Sequence, residues 1–315
     1  MNLNDLVTHY VAFRRTLGER CDSTEQTLRS FGRAIGPRTP ISRIRPRAVA
    51  KFLVGTGPIT RTWHFKYFTL KGFFRFAVSR GHLDKAPLPT ELPKRPPSLT
   101  PYLYSREELR RLLDAISSLR RSGARVEPQA LRAMVLLMYG AGLRRGEVLR
   151  LTAADVDLQQ AVLTIRQTKF FKSRLVPIGP DLTKELHDYV RWRATAHPSA
   201  STTSTFFLSK PGEAINCGAL ARAFKRLRES AGVLRTDGGR YQPRLHDLRH
   251  TFAVHRLTAW YRQGADVQRL VYALSVYLGH ACLAHTQVYL TMTPELLQQA
   301  STFFERYACG EDRHA

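Results

Sequence analysis

A proline-rich stretch divides this chain into two unequal parts. Six of its 17 prolines fall between Pro87 and Pro101. Proline has no backbone N–H to donate and biases the preceding residue toward extended conformations, so this stretch suits neither a helix interior nor a central strand. The sequence therefore predicts a linker at 87–101, between a domain at 1–86 and a larger domain at 102–315. A length of 315 residues is typical of two domains of ordinary size.

The smaller part has the apolar spacing of helices. Segments 3–17, 22–31, 47–54 and 59–78 each place apolar residues at helical intervals, without the alternation of a strand. We therefore predict a small helical bundle here.

The larger part adds one β-rich region to a helical background. Two runs rich in β-branched residues, 161–165 and 174–178, flank a basic segment and predict an antiparallel hairpin. The expected fold class is therefore mainly α with a small antiparallel β-sheet, that is, α+β. Helices are predicted at 105–117, 129–139, 145–151, 182–193, 217–231, 246–259, 266–278, 283–289 and 295–307.

The chain is strongly basic, and the charge is spread along it. Residues 1–97 hold 18 Lys and Arg against 6 Asp and Glu, which is half of the net charge of +24. The basic residues alternate with aromatic ones, as in Trp63–Phe68 and Lys71–Phe76. A folded basic protein of this kind indicates nucleic acid as its partner, and a basic surface without a ligand is the alternative.

Other classes of protein are disfavoured. The longest apolar stretch, 133–143, is shorter than the ~20 residues that span a bilayer, and the N-terminal segment has no signal-peptide core. The cysteines are too far apart to form a Cys-x-x-Cys zinc pair or a disulfide framework. We therefore expect a reduced, cytoplasmic protein. The four cysteines are Cys21, Cys217, Cys282 and Cys309.

Two short patterns place cations where phosphate could bind. Arg144 follows Gly142 at the start of a predicted helix, and a guanidinium beside exposed backbone N–H groups can hold a phosphate. Lys169 lies in the basic segment between the two β runs, from which a lysine can reach a groove and donate a proton. A solvated hairpin tip is the simpler interpretation of that segment.

A third pattern concerns histidines on the helix predicted at 246–259. His246 and Arg249 share a helical face, so together they can hold a phosphate and supply an acid or base. His246 and His250 are spaced like two zinc ligands, but no third ligand is evident and Arg249 would repel the cation.

A fourth pattern pairs a histidine with a tyrosine. Tyr289 follows His280 by nine residues. A tyrosine can attack phosphorus if its proton is removed and the charge of the phosphate is offset. Tyr272, Tyr277 and Tyr307 lie in the same region and are rival candidates.

Taken in chain order, these patterns resemble the tyrosine recombinase (phage integrase) family over nearly the whole chain. Gly142–Arg144 with Glu147–Leu149 resembles the first arginine box, and His246–His250 resembles the second. Lys169 lies where the family has its β-hairpin lysine, and Leu278–His280 with Tyr289 matches the family's spacing.

The resemblance implies a role for each residue. Tyr289 would attack the scissile phosphate and form a 3′-phosphotyrosyl link. Arg144 and Arg249 would bind the non-bridging oxygens, His280 would donate to the phosphate, and His246 would be a proton-transfer candidate. Because the energy of the broken bond is kept in the phosphotyrosine, no cofactor or metal is implied.

The remaining implied roles are supporting ones. Glu147 and His250 would orient the reacting groups, and Lys169 would be the general acid. Lys172 rivals Lys169, because Phe170-Phe171 replaces the glycines usual beside this lysine. The residues predicted to contact DNA are Lys66, Lys71, Arg75, Lys172, Arg174, Arg222, Lys225 and Arg226.

The resemblance also implies an architecture and a partner. Residues 1–86 would be a core-binding, SAM-like domain that closes with the catalytic domain as a C-shaped clamp on double-stranded DNA. Four identical or related subunits would assemble by exchanging the helix at 295–307. We expect integration or transposition of a mobile element on the bacterial nucleoid, with no membrane or small-molecule partner. A type IB topoisomerase-like enzyme and a non-cutting DNA-binding partner are the alternatives.

Overall fold

The computed structural model describes the chain as two compact units. One comprises residues 1–99 and the other begins at Thr100, so the division falls within the proline-rich stretch. Each unit has its own apolar core. The described residues are 1–19, 21–55, 59–96, 100–119, 125–166, 173–292, 297–298, 301–302 and 305.

The first unit is a four-helix bundle built around its last helix. Leu70, Phe73 and Phe74 of that helix are fully buried, and the helix packs against the other three. The Asn2 side chain caps the first helix by accepting the Asp5 N–H. The helices are α1 (Leu3–Thr16), α2 (Asp22–Ile35), α3 (Pro46–Val54) and α4 (Arg61–Ser79).

The second unit combines eight described helices with one small sheet. This observation confirms the predicted class of mainly α with a small antiparallel sheet. The helices are α5 (Arg106–Ser118), α6 (Pro128–Gly140), α7 (Arg145–Arg150), α8 (Pro180–Ala196), α9 (Cys217–Ser230), α10 (Leu245–Arg262), α11 (Val267–Leu278) and α12 (Ala284–Gln287). The strands are β1 (Val156–Asp157), β2 (Val162–Ile165) and β3 (Arg174–Pro177).

The sheet has the order β1-β2-β3, and both of its pairings are antiparallel. The register sets Ile165 opposite Arg174 and Val162 opposite Pro177, as in the predicted hairpin. Side chains two apart in a strand share a face, so Arg174 lies on the same face as the buried Val176. The register thus turns the Arg174 side chain toward the interior.

Helix α6 is the centre of the second unit. It is buried on several sides and packs on α5, α8, α9 and α10. Gly142 follows it with a positive φ of 61°. A Cβ at Gly142 would lie 2.6 Å from Phe252 and 2.8 Å from Leu278, so only glycine lets the ends of α6 and α11 approach α10 this closely.

The two helices predicted nearest the C-terminus, at 283–289 and 295–307, have different outcomes. The helix predicted at 283–289 is the short α12 followed by a 3₁₀ turn, Val288–Thr291, which carries Tyr289. Most of the helix predicted at 295–307 lies outside the described residues, as do Lys169 and Lys172. Among the described helices, none has the length and apolar character needed to cross a membrane.

Candidate active site

Two arginines from distant parts of the chain are fixed by backbone carbonyl groups. Arg249 of α10 is only 1% exposed, and it donates to Gly142 O at 2.6 Å and Leu278 O at 2.7 Å. Arg144, which precedes α7, donates to Gly279 O at 2.8 Å. The carbonyl groups at the ends of α6 and α11 therefore hold both guanidinium groups in one place.

The two arginines carry positive charge into a partly desolvated region. Burial, with the charge of Arg144 adding to it, lowers the pKa of Arg249 to about 10. The guanidinium therefore stays protonated at neutral pH. Each of its two Nη atoms donates one N–H to a carbonyl, and the guanidinium also hydrogen-bonds the Tyr289 side chain.

Glu147 organises the arginines around it. Its side chain is buried and accepts hydrogen bonds from Arg144 Nη1 at 2.8 Å and from the Arg144 N–H at 2.9 Å. Arg174 donates to both carboxylate oxygens, each at 2.9 Å. Burial alone would raise the pKa of Glu147, but Arg174 and Arg144 outweigh it and hold the pKa at about 2. The carboxylate is therefore ionised and orients Arg144.

Arg174 differs from its predicted role as a DNA-contact residue. Its side chain is only 11% exposed, and its three nitrogens donate to Glu147 and to the Tyr277 carbonyl. The reason is the strand register, which places Arg174 on the inner face of β3. Arg174 therefore lies in the interior of the site. The sequence carried a signal for this position, because Arg174 and the apolar Val176 are two residues apart in a strand and so share a face.

Three histidines surround the site. His250 Nδ1 lies 3.1 Å from the Tyr289 hydroxyl, and the exposed His246 packs against the His250 ring with centroids 4.6 Å apart. His280 Nδ1 lies 2.7 Å from Oγ1 of the buried Thr286. Thr286 is a site residue that sequence reasoning missed, because nothing in its spacing marks it.

Burial keeps two of these histidines, His250 and His280, neutral at pH 7. Burial, reinforced by His246, lowers the pKa of His250 to about 4, and burial, reinforced by Arg249 and Arg144, lowers that of His280 to about 3. Each ring can therefore accept a proton at one nitrogen and donate from the other.

Tyr289 is the tyrosine that the structure brings to these groups. It is 3% exposed, and burial raises the pKa of its phenol while Arg249 and Arg144 lower it. The rival Tyr272 is 67% exposed, and the Tyr277 hydroxyl donates to Pro177 O at 3.1 Å. The third rival, Tyr307, lies outside the described residues.

The other candidate residues are on α4 of the first unit and α9 of the second. Lys71 and Arg75 are exposed on α4, whereas Lys66 is half-buried over the Phe52 ring and donates to its carbonyl at 3.4 Å. The exposed basic residues of α9 are Arg222, Lys225 and Arg226. Within the described part of the chain, no group of three or more His, Cys, Asp or Glu side chains is placed to hold a metal ion.

Comparison with known sequences gives the family. Residues 103–295 match the phage integrase family. The chain belongs to this family of tyrosine recombinases. Its members break and rejoin DNA strands, so this protein is a DNA breaking–rejoining enzyme, as the four motifs predicted.

Relatives match most of the chain. The Sinorhizobium fredii protein y4rB, which carries an integrase/recombinase name, is 36% identical over 303 residues, covering 95% of this chain and 96% of the relative. Tyrosine recombinase XerC of Chlorobaculum tepidum is 31% identical over 276 residues, covering 83% and 74% of the two chains.

Solved structures share the fold. The Tn1549 transposon integrase, in complex with transposon right end DNA, has a TM-score of 0.69 and 17% identity and covers 98% of this chain and 100% of that one. The XerH recombinase bound to its difH substrate has a TM-score of 0.59 and 20% identity, covering 90% and 79%. These likenesses establish the fold of the tyrosine recombinases for this chain.

Proposed function

We propose that this protein is a site-specific recombinase that integrates or transposes a mobile element through a 3′-phosphotyrosyl intermediate. The observation that carries the proposal is the placement of Arg144, Arg249 and His250 around the buried Tyr289. The mobile-element part is supported by the match to y4rB over nearly its whole length and by the fold shared with a transposon integrase.

The reaction begins at Tyr289. Its phenolic oxygen attacks the scissile phosphorus, the bond from phosphorus to the 5′-oxygen breaks, and the DNA is left with a free 5′-hydroxyl. The phosphotyrosine keeps the energy of the broken bond, so the reverse attack by a 5′-hydroxyl of another strand completes the exchange.

Arg144 and Arg249 stabilise the charge that builds up during this attack. Their guanidinium groups are already held by Gly279, Gly142 and Leu278 carbonyl groups, so they need no rearrangement to donate to the non-bridging oxygens. Preorganised donors of this kind are worth about 10²- to 10³-fold in rate each. They do the electrostatic work that a metal ion does in many nucleases.

The leaving group needs a proton from another side chain. Lys169 is the proposed acid for the 5′-oxygen, and Lys172 is its rival. His280, hydrogen-bonded to Thr286, is the proposed additional phosphate donor. His246 contacts the same region from its exposed position and is the proton-transfer candidate given by the family resemblance.

Recombination requires more than one active site. We propose that four subunits, identical or from related recombinases, assemble on double-stranded DNA and exchange the segment 295–307. The exposed basic residues of α4 and α9 would bind the DNA backbone, which makes binding weaken steeply with salt.

Covalent trapping tests the proposal. Nicked suicide DNA carrying the ends of the element around the gene is incubated with the full chain, which is then denatured. We expect a protein–DNA adduct that is lost in Tyr289→Phe and retained in Tyr272→Phe, because Tyr272 is 67% exposed whereas Tyr289 is buried. An adduct that survives Tyr289→Phe would contradict the assignment of the nucleophile.

Two further outcomes separate the alternatives. Relaxation of supercoils without joined products from two duplexes would favour a topoisomerase, and DNA binding without any adduct would favour a non-cutting partner. Cleavage is expected to continue in the presence of EDTA, and strong inhibition would favour a metal-dependent nuclease.

A further inference from the structure

The contact between His250 and Tyr289 has no assigned chemistry in the proposed function. His250 Nδ1 lies 3.1 Å from the phenolic oxygen, with ring centroids 5.6 Å apart. His250 is on α10 and Tyr289 is in the turn after α12, so the contact depends on the fold and not on sequence proximity. Because the phenol is buried, water has little access to its proton.

The surroundings of His250 leave its ring neutral and able to accept a proton. Arg249, Arg244 and His246 are positive or can become so, and Asp247 is the opposing negative charge. In a neutral imidazole one nitrogen is an acceptor and the other carries hydrogen. If Nδ1 accepts the phenolic hydrogen, the ring hydrogen is on Nε2.

We propose that His250 is the catalytic base that takes the proton from the Tyr289 hydroxyl, a role that rests on Tyr289 being the nucleophile. The O–H bond of Tyr289 breaks and an N–H bond forms at His250 Nδ1 while the phenolic oxygen bonds to phosphorus. The electron pair of the broken P–O bond leaves with the 5′-oxygen, which takes a proton from the lysine acid. In rejoining, His250 returns its proton to the departing phenolic oxygen.

His246 has a different part in this arrangement. Its ring meets that of His250 nearly perpendicularly, at 82°, and it is exposed to solvent. This position suits it to exchange protons between His250 and water. The family resemblance assigns tyrosine activation to His246, whereas the contact with the phenol belongs to His250.

A substitution that keeps the hydrogen bond but not the proton acceptor tests the role. In His250→Asn, the Asn Oδ1 can occupy the place of Nδ1 and accept from the phenol, but an amide does not take up a proton. We expect phosphotyrosyl formation to slow by about 100-fold or more, with unchanged DNA binding. Cleavage at the wild-type rate would overturn the proposal while leaving Tyr289 as the nucleophile.

A matched control lies on the same helix. His255 Nδ1 is 3.1 Å from the Tyr139 hydroxyl, which gives the same kind of pair away from the site. His255→Asn is expected to cleave at the wild-type rate. Loss of cleavage in Tyr289→Phe tests the proposed function separately, so the two failures can be distinguished.

A sulfur-substituted substrate separates removal of the proton from Tyr289 from protonation of the leaving group. A 5′-bridging phosphorothiolate gives a thiolate leaving group that needs no protonation. We expect this DNA to restore cleavage by Lys169→Ala but not by His250→Asn. Restoration in His250→Asn would show that His250 serves the leaving group, and it would overturn the proposal.

A measurement on the unaltered protein remains decisive even if the variants do not fold. The nitrogen chemical shifts of ¹⁵N-labelled histidine report which ring nitrogen carries hydrogen. The proposal requires His250 to carry it on Nε2 at neutral pH. A hydrogen on Nδ1 would make His250 a donor to the phenol and would overturn its role as the base.

Discussion

Helices α4 and α10 are almost equally long, with 19 and 18 residues, but they distribute polarity in opposite ways. Helix α4 buries Phe73 and Phe74 and leaves Lys71 exposed. Helix α10 buries Asp247 and Arg249 to the same degree as its apolar neighbours. One helix therefore holds its unit together by apolar burial, and the other brings charge into the interior.

The difference has an energetic consequence. An apolar core loses stability when volume is removed, whereas a buried charge loses it when its partner is removed. In the second unit, Arg249 is held by carbonyl groups and Arg174 by Glu147, so both of these cations have specific partners. We therefore expect the second unit to tolerate substitution of these partners less well than the first unit tolerates changes on its exposed faces.

The largest effect is expected for the buried arginine. Arg249→Lys removes the fork that spans Gly142 O and Leu278 O, and should slow phosphotyrosyl formation by about 10²-fold or more. Arg75→Lys on α4 is the matched exchange on an exposed face and should cleave normally. Equal losses of cleavage rate in Arg249→Lys and Arg75→Lys would show that the buried arginine of α10 matters no more than the exposed arginine of α4.

The next effect concerns stability. Glu147→Gln leaves Arg174 without its ion pair, and the pKa of Glu147 at about 2, against an ordinary 4.5, corresponds to about 3 kcal/mol of unfolding free energy. Glu185→Gln breaks the more exposed pair with Arg132 and should cost less than about 1 kcal/mol. Denaturant unfolding of the full chain measures the loss of unfolding free energy in each variant. Similar losses would show that the buried ion pair of Glu147 is no more important for stability than the exposed pair of Glu185.

Acid is also expected to destabilise the second unit. The folded pKa values of His250 and His280, about 4 and 3, lie below the ordinary 6.5. Their contribution to stability is therefore present above about pH 6.5 and is lost as the pH falls toward these values. When exchange rates are divided by the intrinsic rate at each pH, the protection of backbone amides should fall more in α10 and α11 than in α4 between about pH 7 and pH 5. A uniform fall in protection would argue against buried neutral histidines.

The smallest effect on stability is expected on the outer face of α4. Replacing Lys71 and Arg75 by Gln should change unfolding free energy by less than about 0.5 kcal/mol, because both are exposed. If both bind phosphates, the slope of log affinity against log salt should become shallower by about 2. An unchanged slope would show that Lys71 and Arg75 do not bind phosphates.

Much of the fold could be predicted because it depends on local patterns. Helical spacing located α1 to α11 to within a few residues. The same spacing predicted one helix at 283–289, where the structure has α12 and a 3₁₀ turn. In so short a segment, apolar spacing does not distinguish an α-helix from a 3₁₀ helix, and tertiary packing decides between them.

The sequence by itself determined the linker, the two β runs, and the order of Arg144, His246, Arg249, His280 and Tyr289, because spacing and residue chemistry are local properties. Only the tertiary structure decided that Arg174 turns inward to Glu147 and that His250 meets the phenol. Both outcomes depend on strand register and on how the ends of α6, α10 and α11 pack together. Such packing brings together residues that are far apart along the chain, and their spacing in the sequence does not indicate that they will be in contact.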